Sequence, residues 1–484
     1  MTITAATPTA RTTRLDFELL RRGCLYFAIA NLLVAPFARD PLAYGTGAFV
    51  PFVLMSIIGQ PTMPKGLVFL LLWQWGQVFA RALQSVLDGQ SMAAGIDGAD
   101  VLNAYWYSLA SLMTFAIAFR LALGNLPSPT FSDYHAHQRW RPPDLITVYV
   151  AAMVSSMAFV FLSTMVPGLE QPLQAAGQVK VVALFLLCTY VFTTGRGRGT
   201  LLAAVTLEIL VGFTGFLSDF RAVFIYVAIA ALAARVRWSG ATTVAALAWL
   251  AVLLVLALYW TSVKAEYREY VTGAAETQQI RVPLGERMAY LGDKALDIGN
   301  MPWGETSYLL LTRFAYIDIF GQVIAVDRGN REPIATRQWK EAFAHVLQPR
   351  FLFPGKAALS DTEVFMRLAR ADPMEQIRLG TSISVGYMAE NYVDLGFPGM
   401  LAGIFGYALM LALIVRYFMT RPLPWMLREG IIMGLAYNVA ATGMEVSLPK
   451  LLGSTVMFFL VWSLMARFAL PIAMRWLDRR AGLL

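Results

Sequence analysis

The chain is poor in charged residues and in cysteine. Asp, Glu, Lys and Arg together supply 14% of its 484 residues, whereas soluble domains carry about 25%. Its two cysteines, Cys24 and Cys188, both lie in apolar runs, which excludes the disulfide framework of a small secreted module. The sequence has no Walker loop, GxGxxG fingerprint or GxSxG elbow. ATP hydrolysis, nucleotide-sugar chemistry at a Rossmann site and serine-hydrolase chemistry therefore have no support.

Histidine is also scarce, with only three residues: His135, His137 and His345. The first two fall among basic residues in a connection between apolar segments, where we expect solvated side chains. No group of His, Cys, Asp and Glu has the spacing of metal ligands, so the sequence predicts neither a metal nor another cofactor.

Apolar side chain is abundant instead. Hydrophobic residues make up 57% of the chain, above the roughly 45–50% of soluble domains. A soluble fold could not bury this much apolar surface, and the composition also excludes a disordered scaffold and a nucleic-acid-binding protein. The net charge of +8 is typical of a membrane protein with basic cytoplasmic loops. The sequence therefore predicts a polytopic membrane protein.

Twelve apolar segments, several of them short, are candidates for bilayer-crossing helices of about 20 residues. The predicted fold class is all-α, with about 12 transmembrane helices and one large external region. That region, 264–395, separates the first nine helices (1–263) from the last three (396–484). The segments are 22–38, 44–58, 66–83, 104–123, 145–165, 179–194, 200–217, 220–236, 241–263, 397–418, 429–446 and 451–474.

Basic residues are distributed unevenly between the two sides of these segments. The connections 85–103 and 166–178 contain no Lys or Arg, while the alternate connections and both termini are rich in arginine. This asymmetry predicts that both termini are cytoplasmic. The external region holds 15 Lys and Arg and 17 Asp and Glu, and long segments are exempt from the charge rule. We expect function to lie there.

Outside that region, five basic residues still face the external side. They are Arg39, Arg81, Lys180, Arg221 and Lys450. Snorkelling and salt bridges are the favoured explanation for any one of them, and a cationic rim for an anionic lipid such as a lipid diphosphate is the functional alternative. Arg221 is the strongest candidate, since it follows Asp219 in a very short external turn. Glu208, halfway along an apolar segment, is either functional or a paired structural carboxyl.

The external region has structure of its own. Residues 304–327 repeat apolar side chains at helical spacing, which predicts one amphipathic helix on or in the membrane, with Arg313 and Asp318 as its interior charges. Glu390 and Asp394 are four residues apart, on one face if helical. A carboxylate there could act as a base, orient one, or pair with an arginine.

Four stretches in the second half of the chain resemble motifs of the bacterial Wzy-type polymerases of O-antigen and exopolysaccharide repeat units. Their order, their external placement and the single late external region support the likeness, while the first half matches only in hydropathy. The stretches are Ser218-Asp-Phe-Arg221, Thr312-Arg-Phe-Ala-Tyr-Ile-Asp318, Pro349-Arg-Phe-Leu-Phe-Pro-Gly-Lys356 and Glu390-Asn-Tyr-Val-Asp-Leu-Gly396 with Gly399.

The resemblance implies a metal-independent glycosyltransferase of the broad GT-C type in the bacterial inner membrane. Such proteins join repeat units built on undecaprenyl diphosphate at the periplasmic face, and a chain-length regulator protein is an expected partner. External arginines of the family are thought to hold the diphosphates. This points to Arg221 and Arg313, then to Arg350 and Lys356, and we add Arg287 from a polar helical stretch upstream.

The expected chemistry agrees with these assignments. A leaving diphosphate needs preorganised cations in a water-poor site, which Arg221 and Arg313 would supply. Glu390 would take or orient the proton of the acceptor hydroxyl. Arg221, Arg313 and Glu390 are therefore the predicted catalytic residues.

Two other classes of protein remain open. A transporter or flippase for an anionic lipid-linked substrate would need a polar path, for which Glu208 and Arg120 are the strongest internal candidates. An O-antigen ligase or another lipid-linked-sugar glycosyltransferase would share the layout. The ligases rely on an external histidine, and His345 does not clearly match their motif.

Overall fold

The computed structural model describes residues 13–94, 99–166, 168–215, 219–273, 280–329, 337–348, 353, 355–356, 360–370, 383–440 and 443–483. Within these residues the chain forms α-helices, short 3-10 turns and one isolated β-bridge between Arg14 and Arg237. The α-helices are α1 (Phe17–Leu32), α2 (Pro41–Ile58), α3 (Gly66–Asp88), α4 (Val101–Leu123), α5 (Phe131–His135), α6 (Pro142–Met165), α7 (Glu170–Gly177), α8 (Val179–Thr194), α9 (Arg198–Phe213), α10 (Arg221–Ala233), α11 (Gly240–Thr272), α12 (Leu284–Leu296), α13 (Trp303–Phe314), α14 (Ile317–Gly329), α15 (Gln338–Leu347), α16 (Asp361–Ala369), α17 (Tyr387–Leu395), α18 (Met400–Met419), α19 (Trp425–Ala440), α20 (Leu448–Leu464) and α21 (Leu470–Arg480).

Each of the twelve predicted apolar segments contains a helix. Nine helical segments of the described chain are long and apolar enough to cross a membrane, or up to ten if the bent pair α13–α14 forms one span. Three helices fall short, because α9 and α19 have 16 residues and α10 has 13. At about 1.5 Å per residue, α10 covers only about two thirds of a 30 Å hydrocarbon layer. The prediction of an all-α, multi-pass membrane protein is confirmed, with nine or ten candidate spans among the described residues where twelve are predicted.

Helix α11 is longer than a bilayer needs. Ser239 caps its start, and Gly273 ends it with a φ of +64°, a backbone conformation that glycine adopts without strain. Its 33 residues extend about 50 Å at 1.5 Å each. The last third therefore projects beyond the apolar stretch, on the side of the helices that carries the described residues of the external region, such as α12 and α13. We call this the loop side.

Helix α3 joins the membrane helices to the loop side through a row of buried polar side chains. The row consists of Gln74, Gln77, Arg81 and Gln84, which share one face at helical spacing. The first accepts a hydrogen bond from the Tyr387 hydroxyl at 2.6 Å, and the last donates to the Tyr308 hydroxyl at 3.0 Å. Buried polar groups need such partners, so this row fixes the elements that pack on it.

The predicted single amphipathic helix at 304–327 is wrong in two respects. The segment is two helices, α13 and α14, with a bend of 52° between them. Ile317, Val323 and Ile324 of α14 are completely buried, and Gly321 lies so close to Val101 at the start of α4 that a Cβ atom would be 2.9 Å from its nitrogen. The apolar face of α14 therefore packs against protein.

The side opposite the loop side contains buried charge. Lys65 and Glu429 form an ion pair at 3.4 Å whose side chains are 4% and 0% exposed. His137 is completely buried and lies 3.3 Å from the Thr193 hydroxyl. The expectation of a solvated side chain is therefore wrong for His137, since its connection folds back between the helix ends.

Candidate functional site

The turn between α9 and α10 brings Arg221 to the loop side of α3. The turn is tight, because a Cβ atom on Gly212 would lie 2.7 Å from the Cα of Phe220. The guanidinium of Arg221 lies 5.6 Å from the centroid of the Trp73 ring, within the range of a cation–π contact. It also hydrogen-bonds the hydroxyl of Tyr437, which donates in turn to the carboxylate of Asp219. Arg221, at the start of α10, thus contacts α3 and α19 and remains exposed.

Lys264 of α11 lies near Arg221, and two further cations, Arg268 and Arg313, lie near Lys264. Lys264 and Arg268 are one helical turn apart near the end of α11, and Arg313 lies in the last turn of α13. The Lys264 ammonium lies within electrostatic range of Arg221, Arg268 and Arg313. Lys264 and Arg268 are half-buried, whereas Arg313 is exposed. We call these four residues the basic cluster.

Aromatic packing places the end of α13, which carries Arg313, beside Trp73. The ring of Phe314 meets the Trp73 ring edge-on, with centroids 5.1 Å apart. Gly76 permits this approach, because a Cβ atom there would lie 3.2 Å from the Phe314 ring. The buried indole nitrogen of Trp73 has no hydrogen-bond partner in the described structure, so it is a donor available to a ligand.

Glu445 contributes a carboxylate to the basic cluster. It ends the short turn Gly443–Glu445 that precedes α20, and its side chain accepts a hydrogen bond from the Gln77 amide at 3.3 Å. Arg221 and Lys264 both act electrostatically on it. Partial burial nevertheless raises the pKa of Glu445 to about 7, because desolvation of the charged form outweighs the neighbouring cations.

The structure brings together two of the three predicted catalytic residues. Arg221 and Arg313, from α10 and α13, both face Lys264. Glu390 lies elsewhere: its carboxylate accepts a hydrogen bond from the backbone N–H of Leu448, at the start of α20. The charged groups that act on it are Asp361, Asp394 and Arg367, none of which belongs to the basic cluster.

The pair Glu390 and Asp394 caps two different helices. Glu390 caps the start of α20. Asp394 accepts hydrogen bonds from the backbone N–H groups of Gln338 and Trp339 at 3.1 and 2.8 Å, at the start of α15. Carboxylates are favourable there, because helix N-termini present free N–H groups and a positive dipole end. These contacts give both residues a structural role.

Two of the remaining predicted diphosphate ligands, Arg287 and Lys356, bind backbone carbonyls at helix ends. Arg287 of α12 donates to the carbonyl of Thr214, just after α9, and the Tyr267 hydroxyl donates to the same oxygen at 2.9 Å. Lys356 donates to the carbonyls of His345 and Gln348 at the end of α15. Both cations therefore satisfy helix C-termini. Arg350 lies outside the described residues.

The other four basic residues of the predicted external rim have structural partners. Arg81 pairs with Asp318 at 2.8 Å, and Lys450 pairs with Asp361 at 2.6 Å. Arg39 donates to the carbonyl of Gly89 at 3.1 Å. Lys180 pairs with Glu208 at 3.0 Å. For these four, the salt-bridge interpretation is the better one.

The two residues predicted to mark a transport path lie on different helices, α9 and α4. Glu208 is buried, paired with Lys180 at 3.0 Å and hydrogen-bonded by the Tyr149 hydroxyl at 2.8 Å. Arg120 is exposed in the last turn of α4. A buried carboxylate with two partners is structurally satisfied, so these contacts give Glu208 a structural role.

Lys264, Arg268 and Glu445 are site residues that the sequence analysis missed. The first two carried a usable signal, because two cations four residues apart directly follow the long apolar run of α11. Such a pair lies on one helix face just beyond the hydrocarbon layer. Glu445 carried no comparable signal, since its position depends on how the turn before α20 packs on Gln77.

The basic cluster is suited to a polyanion at the membrane surface. Among the described residues it combines four cations with the carboxylates of Glu445 and Asp219, so positive charge predominates. Arginine and lysine side chains bind phosphate oxygens with charge-assisted hydrogen bonds. Because all its members lie on the loop side next to membrane helices, a ligand held in the bilayer could reach it laterally.

No protein-family model, curated protein or solved structure matches the chain.

Proposed function

We propose that the chain is a polysaccharide polymerase that joins undecaprenyl-diphosphate-linked repeat units at the periplasmic face of the bacterial inner membrane. The observation that supports it best is the convergence of Arg221, Lys264, Arg268 and Arg313 from three helices at the membrane surface. A substrate anchored by a lipid and carrying two phosphates fits a cationic site beside membrane helices. The likeness to Wzy-type polymerases in the motifs around Arg221 and Arg313 favours the same function.

The chemistry requires positive charge where the leaving group forms. When a sugar hydroxyl of one lipid-linked unit attacks the anomeric carbon of another chain, the bond to the diphosphate breaks and the electron pair leaves with it. Preorganised cations stabilise that charge most strongly in a site with little water. In this proposal, Arg221 and Arg313 bind the diphosphate oxygens directly, and Lys264 and Arg268 maintain the local positive potential.

Binding of undecaprenyl diphosphate to the purified, full-length protein tests the site. Arg221→Ala and Arg313→Ala should each weaken binding roughly 10- to 100-fold, since a hydrogen bond to a charged group contributes about 1.5–3 kcal/mol. Arg120→Ala is the control. It removes an exposed arginine from the last turn of α4, at the end of that helix away from the loop side, and should leave binding unchanged. Equal affinity in all three variants and the wild type would refute the site.

Activity is tested with lipid-linked repeat units from cells that lack the chain, in which unpolymerised units would accumulate. The wild type should convert them to a ladder of products, and Arg221→Ala and Arg313→Ala should yield none while still inserting in the membrane. A single addition, without a ladder, would instead indicate a ligase or another lipid-linked-sugar transferase. A chain-length regulator protein, if present, would change the distribution of the ladder.

We further propose twelve membrane crossings with both termini in the cytoplasm, so that α9, α10 and α19 span the bilayer as short helices. Cys24 and Cys188 can be replaced to give a cysteine-free background for labelling. Single cysteines at Gly299, Gly199 and Gly482 are suited to the test, because substituents there meet no neighbouring atom, although cysteine at Gly482 carries the backbone strain of a φ of +74°. A membrane-impermeant thiol reagent added outside should label only the position at Gly299; labelling at Gly199 or Gly482 would overturn this topology.

A further inference from the structure

Glu445 is held in place more precisely than a surface carboxylate requires. The amide of Gln77 donates to its side chain at 3.3 Å, while the amide oxygen accepts from the backbone of Met444 at 3.0 Å. The backbone of Gly386 packs closely against the same turn, since a Cβ atom there would lie 2.1 Å from the carbonyl oxygen of Met444. One glutamine and one glycine thus fix both the backbone and the side chain.

The groups that face Glu445 come from several elements. Arg221 approaches from α10 and Lys264 from α11. Tyr316, between α13 and α14, is within electrostatic range and donates its own hydroxyl to the carbonyl of Ser384. Gln77 faces it from α3. The half-buried carboxylate therefore lies beside Lys264 and beside Arg221, one of the two arginines that would hold the diphosphate.

We propose that Glu445 is the general base that accepts the proton of the attacking sugar hydroxyl; this rests on the polymerase function proposed above. The acceptor oxygen forms a bond to the anomeric carbon, and the bond from that carbon to the diphosphate oxygen breaks. The hydroxyl proton moves to the Glu445 carboxylate and later to water. No oxidant, reductant or further reactant is needed, since the diphosphate leaves with its electron pair.

Glu445 suits this role better than the other carboxylates near the site. Glu390 lies outside the basic cluster, at the start of α20, and Asp219 accepts the hydrogen bond of the Tyr437 hydroxyl. A base acts best when its pKa lies near the working pH. Burial raises the pKa of Glu445 to about 7, where the residue can both accept and release a proton.

The pH dependence of the polymerisation rate tests the proposal, with lipid-linked repeat units as substrate. The wild-type rate should fall below about pH 7 as Glu445 becomes protonated. Glu445→Gln should lower kcat by about 10²- to 10⁴-fold, the usual contribution of general acid–base catalysis. The residual rate should no longer fall on the acid side, whereas Glu445→Asp should recover part of the rate and retain an acid limb.

Binding of undecaprenyl diphosphate separates this proposal from the polymerase function itself. Glu445→Gln should bind it at least as tightly as the wild type, because a negative charge has been removed from the site. A wild-type rate in Glu445→Gln, or a reduced rate with the acid limb unchanged, would overturn the assignment of the base. If Arg221→Ala and Arg313→Ala kept full polymerisation, the polymerase site itself would fail, whatever Glu445 does.

Discussion

The guanidinium of Arg81 donates a hydrogen bond to the carboxylate of Asp318 at 2.8 Å, across 237 residues of sequence. The two side chains are 8% and 24% exposed. This ion pair joins the middle of α3 to the first turn of α14, on the side of α3 that also carries Gln77. It therefore fixes the bent pair α13–α14, and with it Arg313, relative to the membrane helices.

Replacing one partner of this ion pair should destabilise the protein more than replacing both partners. Arg81→Leu leaves Asp318 as a partly buried, uncompensated charge, for which the cost of about 3–5 kcal/mol at a fully buried site is an upper bound, whereas replacing both partners by apolar residues is often nearly neutral. We expect Arg81→Leu to lower the melting temperature clearly in detergent, and the double variant with Asp318→Leu to recover most of the loss.

The exposed pair of Glu18 and Arg21 provides the control. Its side chains are 47% and 43% exposed, and such surface pairs contribute about 0–1 kcal/mol. Glu18→Ala should therefore barely change the melting temperature. If the double Arg81 and Asp318 variant were as unstable as the single variant, this account of the pair would be wrong.

A matched pair of glycine substitutions tests how closely the turn before α20 packs on α3. Gly443 and Gly273 have φ values of +62° and +64°, so alanine at either position carries a similar backbone strain. A Cβ atom on Gly443 would lie 1.8 Å from the Gln77 amide oxygen, whereas one on Gly273 would meet nothing. Gly443→Ala should lower both the melting temperature and activity, while Gly273→Ala should cost only about 1 kcal/mol of strain.

Similar losses from both substitutions would show that the turn tolerates displacement. The position of Glu445 would then not depend on the contact between Gly443 and Gln77.

The helices of this protein are largely predictable from its sequence because bilayer-crossing segments are defined by continuous apolar runs. The apolar run before Lys264 predicts α11, and Arg221 stands out because a charge beside short apolar segments is expensive. Both signals are local, within one or two turns of helix. The membrane class and the approximate helix positions follow from such signals alone.

The partners of the charged residues were not predictable, since they depend on packing between distant elements. The position of Glu390 before α18 predicts a catalytic residue, but its carboxylate lies under the start of α20, 58 residues away. The external position of Arg81 is compatible with a cationic rim, but α14 supplies Asp318 as its partner. A sequence shows that a charge is costly; only the fold shows which group compensates it.

The substitution Glu390→Gln should therefore be tolerated. The pKa of Glu390 is raised to about 8, chiefly by burial, so the carboxyl is mostly protonated at neutral pH and Glu390→Gln resembles it closely. The amide oxygen can still accept the hydrogen bond from Leu448. We expect Glu390→Gln to retain the polymer ladder and Glu390→Ala to lower the melting temperature. Loss of activity in a stable Glu390→Gln protein would restore Glu390 as a catalytic residue.

The same residue predicts a pH dependence of stability. The folded protein holds the Glu390 proton up to about pH 8, whereas an unfolded glutamate releases it near pH 4.3. The contribution of this group to stability is therefore complete at low pH and is lost as pH rises between these values, by at most about 1.4 kcal/mol per unit. Glu390→Gln should gain stability relative to the wild type from pH 5 to pH 8, as measured by thermal unfolding.

His137 should give the opposite dependence on pH. Complete burial lowers the pKa of His137 to about 4, from about 6.5 in an unfolded chain. Between these values the unfolded state binds the additional proton, so stability should rise from pH 4 to about pH 6.5 and level off above it. His137→Phe, which cannot be protonated, should lose this acid-side slope in thermal unfolding while its stability at pH 8 changes less. An unchanged slope in this variant would show that other groups, such as carboxylates whose pKa is lowered in the folded state, and not His137, couple folding to pH in this range.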